Sequence, residues 1–164
     1  MFRLILGLVA LVGWASCNAF ADEAFAIDLT IGAGKSSKTV HGESAAPLAK
    51  PKNRQILEVK PGERVTVKWK FVNTDQKTTI KDVTIHFYAV KAENAAQTAI
   101  KKLDQGVIAE SALNMDFGPK ELNEGELHFA IDRPGLYLLR VETIGAVAGP
   151  AGQEEFAALD VNVK

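Results

Sequence analysis

Three histidines, His41, His86 and His128, are the side chains of this sequence best suited to ligate a transition metal or pass a proton near neutral pH. His41 sits in Thr-Val-His-Gly-Glu on a polar stretch, whereas His86 and His128 occupy the alternating stretches DVTIHFYA and ELHFAI. If those stretches are strands of opposite sheets, their outward residues point apart across layers ~10 Å from each other. A shared His86–His128 metal site is therefore not expected, and both read as solvated surface histidines. A blue-copper centre would need a cysteine thiolate, and the single cysteine, Cys17, lies in the N-terminal segment. Serine catalysis needs a base and an orienting acid beside the nucleophile. No G-x-S-x-G elbow surrounds Ser36, Ser37, Ser44 or Ser111. Glu121, Glu124 and Glu126 crowd one turn region without EF-hand spacing and read as a solvated hairpin, with weak calcium binding as the alternative. No catalytic residue, metal ligand or cofactor is assigned.

The N-terminus places the chain. Met1-Phe2-Arg3 gives one positive charge, and the run from Leu4 to Ala15 is apolar and uncharged. That run is shorter than the ~20 residues a membrane-crossing helix needs. Ala19-Phe20-Ala21 before Asp22 fits the small-residue exit of a secretory signal peptide. Residues 1–21 are read as that signal and residues 22–164 as one domain. Ala15-Ser16-Cys17 is a competing exit, a partial lipoprotein lipobox with Trp14 where leucine is usual. The protein would meet a membrane only if Cys17 were lipidated. Cleavage after Ala21 removes the cysteine, so a core rather than disulfides must hold the domain. The chain carries 19 basic and 20 acidic side chains, and no clustered basic face points to nucleic acid. Asn-x-Ser/Thr sequons are absent.

The elements that would position these groups are strands. Phe25–Ile31, Ile56–Val59, Arg64–Val72, Asp82–Ala89, Ser111–Phe117, Glu126–Ile131, Leu136–Thr143 and Phe156–Val163 alternate apolar and polar residues and are separated by Gly, Pro and Asn turns. In the third of these, Val65, Val67, Trp69 and Phe71 face one way and Thr66, Lys68 and Lys70 the other. Trp69 is read as core: an indole removes roughly 150–250 Å² from water, on the order of 4–6 kcal/mol. Residues 33–54, rich in Lys, Ser, Ala and Pro, read as a long loop or linker. Glu93 to Leu103 contains no Gly or Pro and spaces Ala96, Ile100 and Leu103 for a short helix in an insert. The fold class is all-β, an antiparallel immunoglobulin-like β-sandwich with that helix.

PGERVTVKWKFVNT and the later RPGLYLLRVET resemble bacterial extracellular immunoglobulin-like modules of the CARDB and related types, over residues 56–164. The resemblance places Tyr137 at the tyrosine corner of a late strand, with Leu139 where an antibody domain has its cysteine. It implies a structural Tyr137 whose ring packs and whose hydroxyl satisfies a backbone carbonyl. The insert Ala92 to Asn114 departs from the short modules.

The residues specify a fold class and a compartment and leave the ligand open. The leading expectation is an exported, non-enzymatic binding or assembly module of the bacterial cell envelope. Its partner would be an envelope protein or polysaccharide held through loops at one end of the sandwich. The expected contacts are the loop with Gly145, Ala148, Gly149, Pro150 and Gly152, the Ala92–Asn114 insert, and the outward Tyr88. The alternative is a periplasmic metal-handling or ligand-carrier protein using its histidines. A hydrolase with a carboxylate site is a third reading.

Overall fold

The computed structural model describes residues 24–45, 54–92, 106–144 and 154–164. The leader, the helix expected over Glu93–Leu103 and the loop Gly145–Gly152 lie outside the described residues. Ten strands make two sheets: β1 (Phe25–Ala33), β2 (Ser36–His41), β3 (Glu43–Ala45), β4 (Ile56–Val59), β5 (Arg64–Asn73), β6 (Ile80–Lys91), β7 (Val107–Phe117), β8 (Leu122–Ala130), β9 (Gly135–Ile144) and β10 (Glu154–Val163). The first sheet runs β2-β1-β5-β8; the second runs β3-β10-β9-β6-β7, with β4 also on β10. Pairing is antiparallel throughout except for β4 against β10, which is parallel. The all-β immunoglobulin-like sandwich is what the alternation dictates.

The inward residues of the two sheets make the main core. Leu29 and Ile31 of β1, Val65, Val67 and Phe71 of β5, Phe87 of β6, Leu139 and Val141 of β9 and Leu159 and Val161 of β10 are all sealed from solvent. Trp69 is buried, with its ring stacked on Phe87 at 5.9 Å. The indole lies flat against Gly125, its cross-strand partner on β8. A Cβ at position 125 would fall 2.2 Å from the Trp69 ring, so only glycine lets the indole lie there.

Residues 33–45 correct the linker expectation for their part of 33–54, and residues 46–53 lie outside the described residues. Ala33 pairs with Ser36 across a two-residue turn, with Gly34 at φ 55, and β2 returns along β1. Only Val40 of β2 enters the core, so a strand otherwise made of Ser, Lys, Thr and His carries almost no apolar alternation to read. At Gly42, whose N–H donates to Ile27 O at 2.6 Å, the chain crosses to the second sheet and β3 pairs with β10. β1 itself pairs within this domain, against β5 over nine residue pairs.

The insert is also partly strand: β7 begins at Val107 and, among the described residues, is the edge of the second sheet. β7 and β8 do not form a hairpin. They lie in different sheets, and residues 118–121 carry the chain across between them.

Candidate functional site on the outer face of the second sheet

Register brings polar groups together on the outer face of the second sheet. His86 of β6 stands opposite Glu142 of β9, and Tyr88 stands opposite Arg140 of β9 and Glu110 of β7. Cross-strand and diagonal neighbours on one face lie within side-chain reach. His86 Nδ1 meets Glu142 Oε1 at 3.3 Å and its Nε2 meets Glu110 Oε1 at 2.9 Å. Arg140 Nε donates to Glu142 Oε2 at 2.6 Å, and its guanidinium carbon sits 3.7 Å over the Phe156 ring. Arg140 is 1% exposed.

The same face continues into an apolar cluster of Tyr88, Val90, Ala92, Leu138, Phe156 and Ala158, flanked by Val107 and Leu136. Over β6, β9 and β10 the second sheet is thus buried on both sides. This overturns two expectations. Tyr88 does point outward, as alternation requires, but it is 1% exposed and is no free contact residue. His86 is 8% exposed rather than solvated. The sequence carried a signal for this: Phe87-Tyr-Ala-Val90, Leu136-Tyr-Leu-Leu139 and Phe156-Ala-Ala-Leu159 are unbroken apolar runs, the mark of a strand covered on both faces.

Arg54 and Asp160 form a second buried pair on β10, Arg54 Nη2 donating to Asp160 Oδ1. Burial pushes the Asp160 carboxyl up from the ordinary carboxylate range, and the Arg54 guanidinium partly opposes that. Among the described residues, Asp160 Oδ2 and Arg54 Nε and Nη1 have no hydrogen-bond partner. At the opposite edge of the core, the Glu155 carboxylate accepts from the Ala24 N–H at 2.6 Å and the Phe25 N–H at 3.1 Å. Neither acid stood out in the sequence, because each interrupts an apolar strand once and its partner lies over a hundred positions away.

The outer face of the first sheet is built differently. Lys70 meets Glu124 at 2.9 Å, Lys68 meets Glu126 at 3.5 Å, and His128 shares Glu126 at 3.1 Å and Thr66 at 3.1 Å. His41 Nδ1 lies 2.7 Å from Asp28. Lys68, Lys70, Glu124, Glu126 and Asp28 line a trough of about 660 Å³ that reaches Trp69 and Gly125. The acidic group proposed for the turn is therefore split: Glu124 and Glu126 face lysines on β5, while Glu121 accepts from the Gly118 N–H at 2.6 Å.

The three histidines occupy separate places. His86 and His128 are on the outer faces of opposite sheets, and His41 is on the edge strand β2. Among the described residues, no three His, Cys, Asp or Glu side chains are grouped to hold a metal. Tyr137 is 2% exposed and its hydroxyl donates to Arg133 O at 2.8 Å, a carbonyl four residues upstream. Gly145, Ala148, Gly149, Pro150 and Gly152 belong to the loop outside the described residues.

No family model matches the chain, and no curated protein matches it. Among solved structures it is similar to the C-terminal domain of wzt, with 10% identity over 88% of this chain and 76% of that one, at a TM-score of 0.47. It is also similar to a CARDB domain from Pyrococcus furiosus. The solution structure of that domain has 14% identity over 84% of this chain and 94% of that one, at a TM-score of 0.40. Its crystal structure in complex with di-metal ions has 14% identity over 86% and 96%, at 0.39. The generic CARDB-like resemblance read from the sequence recurs in these structures, and it is a likeness of fold.

Proposed function

We propose that this chain is an exported, non-enzymatic binding or assembly module of the bacterial cell envelope, which holds a protein partner. The observation that carries the reading is a contrast in exposure. Lys68, Lys70, Glu124 and Glu126 on one outer face and His86, Arg140 and Glu142 on the other meet one another in short pairs, whereas β7, an edge strand among the described residues, presents Ile108 at 39% and Leu113 at 47% exposure. Exposed aliphatic side chains on an unpaired edge favour a protein partner over a polysaccharide. The Gly145–Gly152 loop remains the second proposed contact. A metal-handling role has less support, because each histidine is engaged by its own neighbours.

The test is photo-crosslinking in the native host, with the crosslinker placed at position 113, 148 or 39 in turn. An adduct of defined mass at 113 or 148 and none at 39, on the first sheet's outer face, is the expected result. Silence at all three, or the same adducts at all three, overturns the reading. Export is checked separately by the intact mass of the purified protein. A chain starting at Asp22 is expected, and one starting at an acylated Cys17 would make it a tethered module.

A further inference from the structure

We infer that the free edge of β7 receives an extended segment of the partner as an added strand, with basic residues six positions apart on that segment's outer face. The inference rests on the binding-module reading and specifies its partner. Among the described residues β7 pairs only with β6, leaving eleven residues with one unpaired edge. Natural edges are usually blocked by charged side chains, proline, β-bulges or shortness; the β6–β7 ladder is irregular at its two ends and regular from Ala109 to Met115. β7 is VIAESALNMDF, which contains no Lys, Arg or Pro, and it is one of the two longest strands of the sandwich.

The chemistry of the occupant follows from the two faces of β7. Leu113 is paired with Ile85 and so lies on the core side of the sheet, yet it is 47% exposed. Met115 follows on the same side, and Asn123 Nδ2 of β8 reaches its sulfur at 3.3 Å. The core is thus unfinished at the seam between β7 and β8. Two buried polar atoms, Trp69 Nε1 and Asn123 Oδ1, have no hydrogen-bond partner among the described residues. On the outer side, Glu110 and Asp116 are exposed and are the only charges of β7; each is bonded through one oxygen, Glu110 Oε1 to His86 at 2.9 Å and Asp116 Oδ1 to the Asp82 N–H at 2.9 Å.

The fold already contains one solution to this problem. β8 is also an acidic edge strand, and β5 pairs with it by alternating Val65, Val67, Trp69 and Phe71 inward with Lys68 and Lys70 outward against Glu126 and Glu124. A strand of the same kind on β7 would place apolar residues over Leu113 and Met115. Its basic residues would stand opposite Glu110 and Asp116, and a separation of six satisfies both in either strand direction. Backbone bonds would supply affinity and the alternate side chains the selectivity.

The experiment uses the exported chain and three synthetic peptides: KVTVTVK, its same-composition control KVVTTVK, and the charge-reversed EVTVTVE. KVTVTVK should bind and slow amide exchange over residues 107–117, with KVVTTVK markedly weaker. Replacing Glu110→Lys together with Asp116→Lys should weaken KVTVTVK by about tenfold and favour EVTVTVE. Leu113→Lys, which leaves the His86 cluster untouched, is the second variant and should abolish binding with the thermal midpoint retained. Equal binding of KVVTTVK, or protection outside β7, overturns the inference. Self-association of the chain that Leu113→Lys abolishes would replace the partner segment with a second copy, and so also overturns it. Crosslinking at 148 without 113 in the host would sink this inference and leave the module reading standing.

Discussion

The two outer faces of the sandwich carry similar residue types under opposite conditions. On the first sheet, Lys68, Lys70, Glu124, Glu126 and His128 pair in the open, with the side chains of Lys68, Lys70 and Glu124 more than half exposed. On the second sheet, His86, Arg140 and Glu142 pair with side chains 10%, 1% and 15% exposed, next to an apolar cluster. Water screens the first set, so those pairs tune solubility and register. The second set sits where an unmatched charge has no water to turn to. Equal distances therefore mean unequal energies, and exposure decides which pairs hold the fold.

The comparison breaks first at Arg140. Arg140→Ala leaves Glu142 short of a donor and Phe156 uncovered, and should cost about 3–5 kcal/mol in urea unfolding. Combining Arg140→Met with Glu142→Gln should recover part of that loss. If Arg140→Ala is silent, the buried face is not held by its charges. Next in size is Gly125→Ala, which drives a methyl into the Trp69 ring and should cost about 1–3 kcal/mol. Adding Trp69→Leu should make the alanine nearly neutral in a double-mutant cycle.

Asp160 sharpens the contrast through pH. Its carboxyl is raised by burial, so the folded chain binds more protons than the unfolded chain between the ordinary carboxylate range and the raised value. Stability contributed by this group is then greatest in acid and falls as pH rises through that window. Asp160→Asn should flatten that part of the pH–stability curve, and an unchanged slope would count against it. The smallest effect is expected for Lys70→Ala. Glu124 raises the lysine's pKa, but the group is in open solvent. The unfolding midpoint should not move measurably.

The strands of the main core were legible because each states its pattern locally. Arg64–Asn73 alternates without a fault, and the structure buries every second residue of it. β2 was not legible, because one inward valine among polar residues is no pattern. His86 and Tyr88 were misread for another reason. Alternation tells which way a side chain points, and it does not tell what lies over that face. The unbroken runs at 87–90 and 136–139 held that second piece of information. Pairing across distant strands, as in Glu155 with Ala24, has no local trace at all.

Glu155 also has a mechanical consequence. It fixes the start of β1 to the start of β10, so these two strands set out from the same end of the sandwich. β10 then runs about 30 Å to Val163, beside Gly135 and Val59. Tension drawn between Ala24 and Lys164 therefore acts along the strands and across the ladder bonds, which lie perpendicular to them in antiparallel pairs. Nine β1–β5 residue pairs would have to slide together rather than peel one by one. A pull along the sandwich therefore loads those ladder bonds in shear.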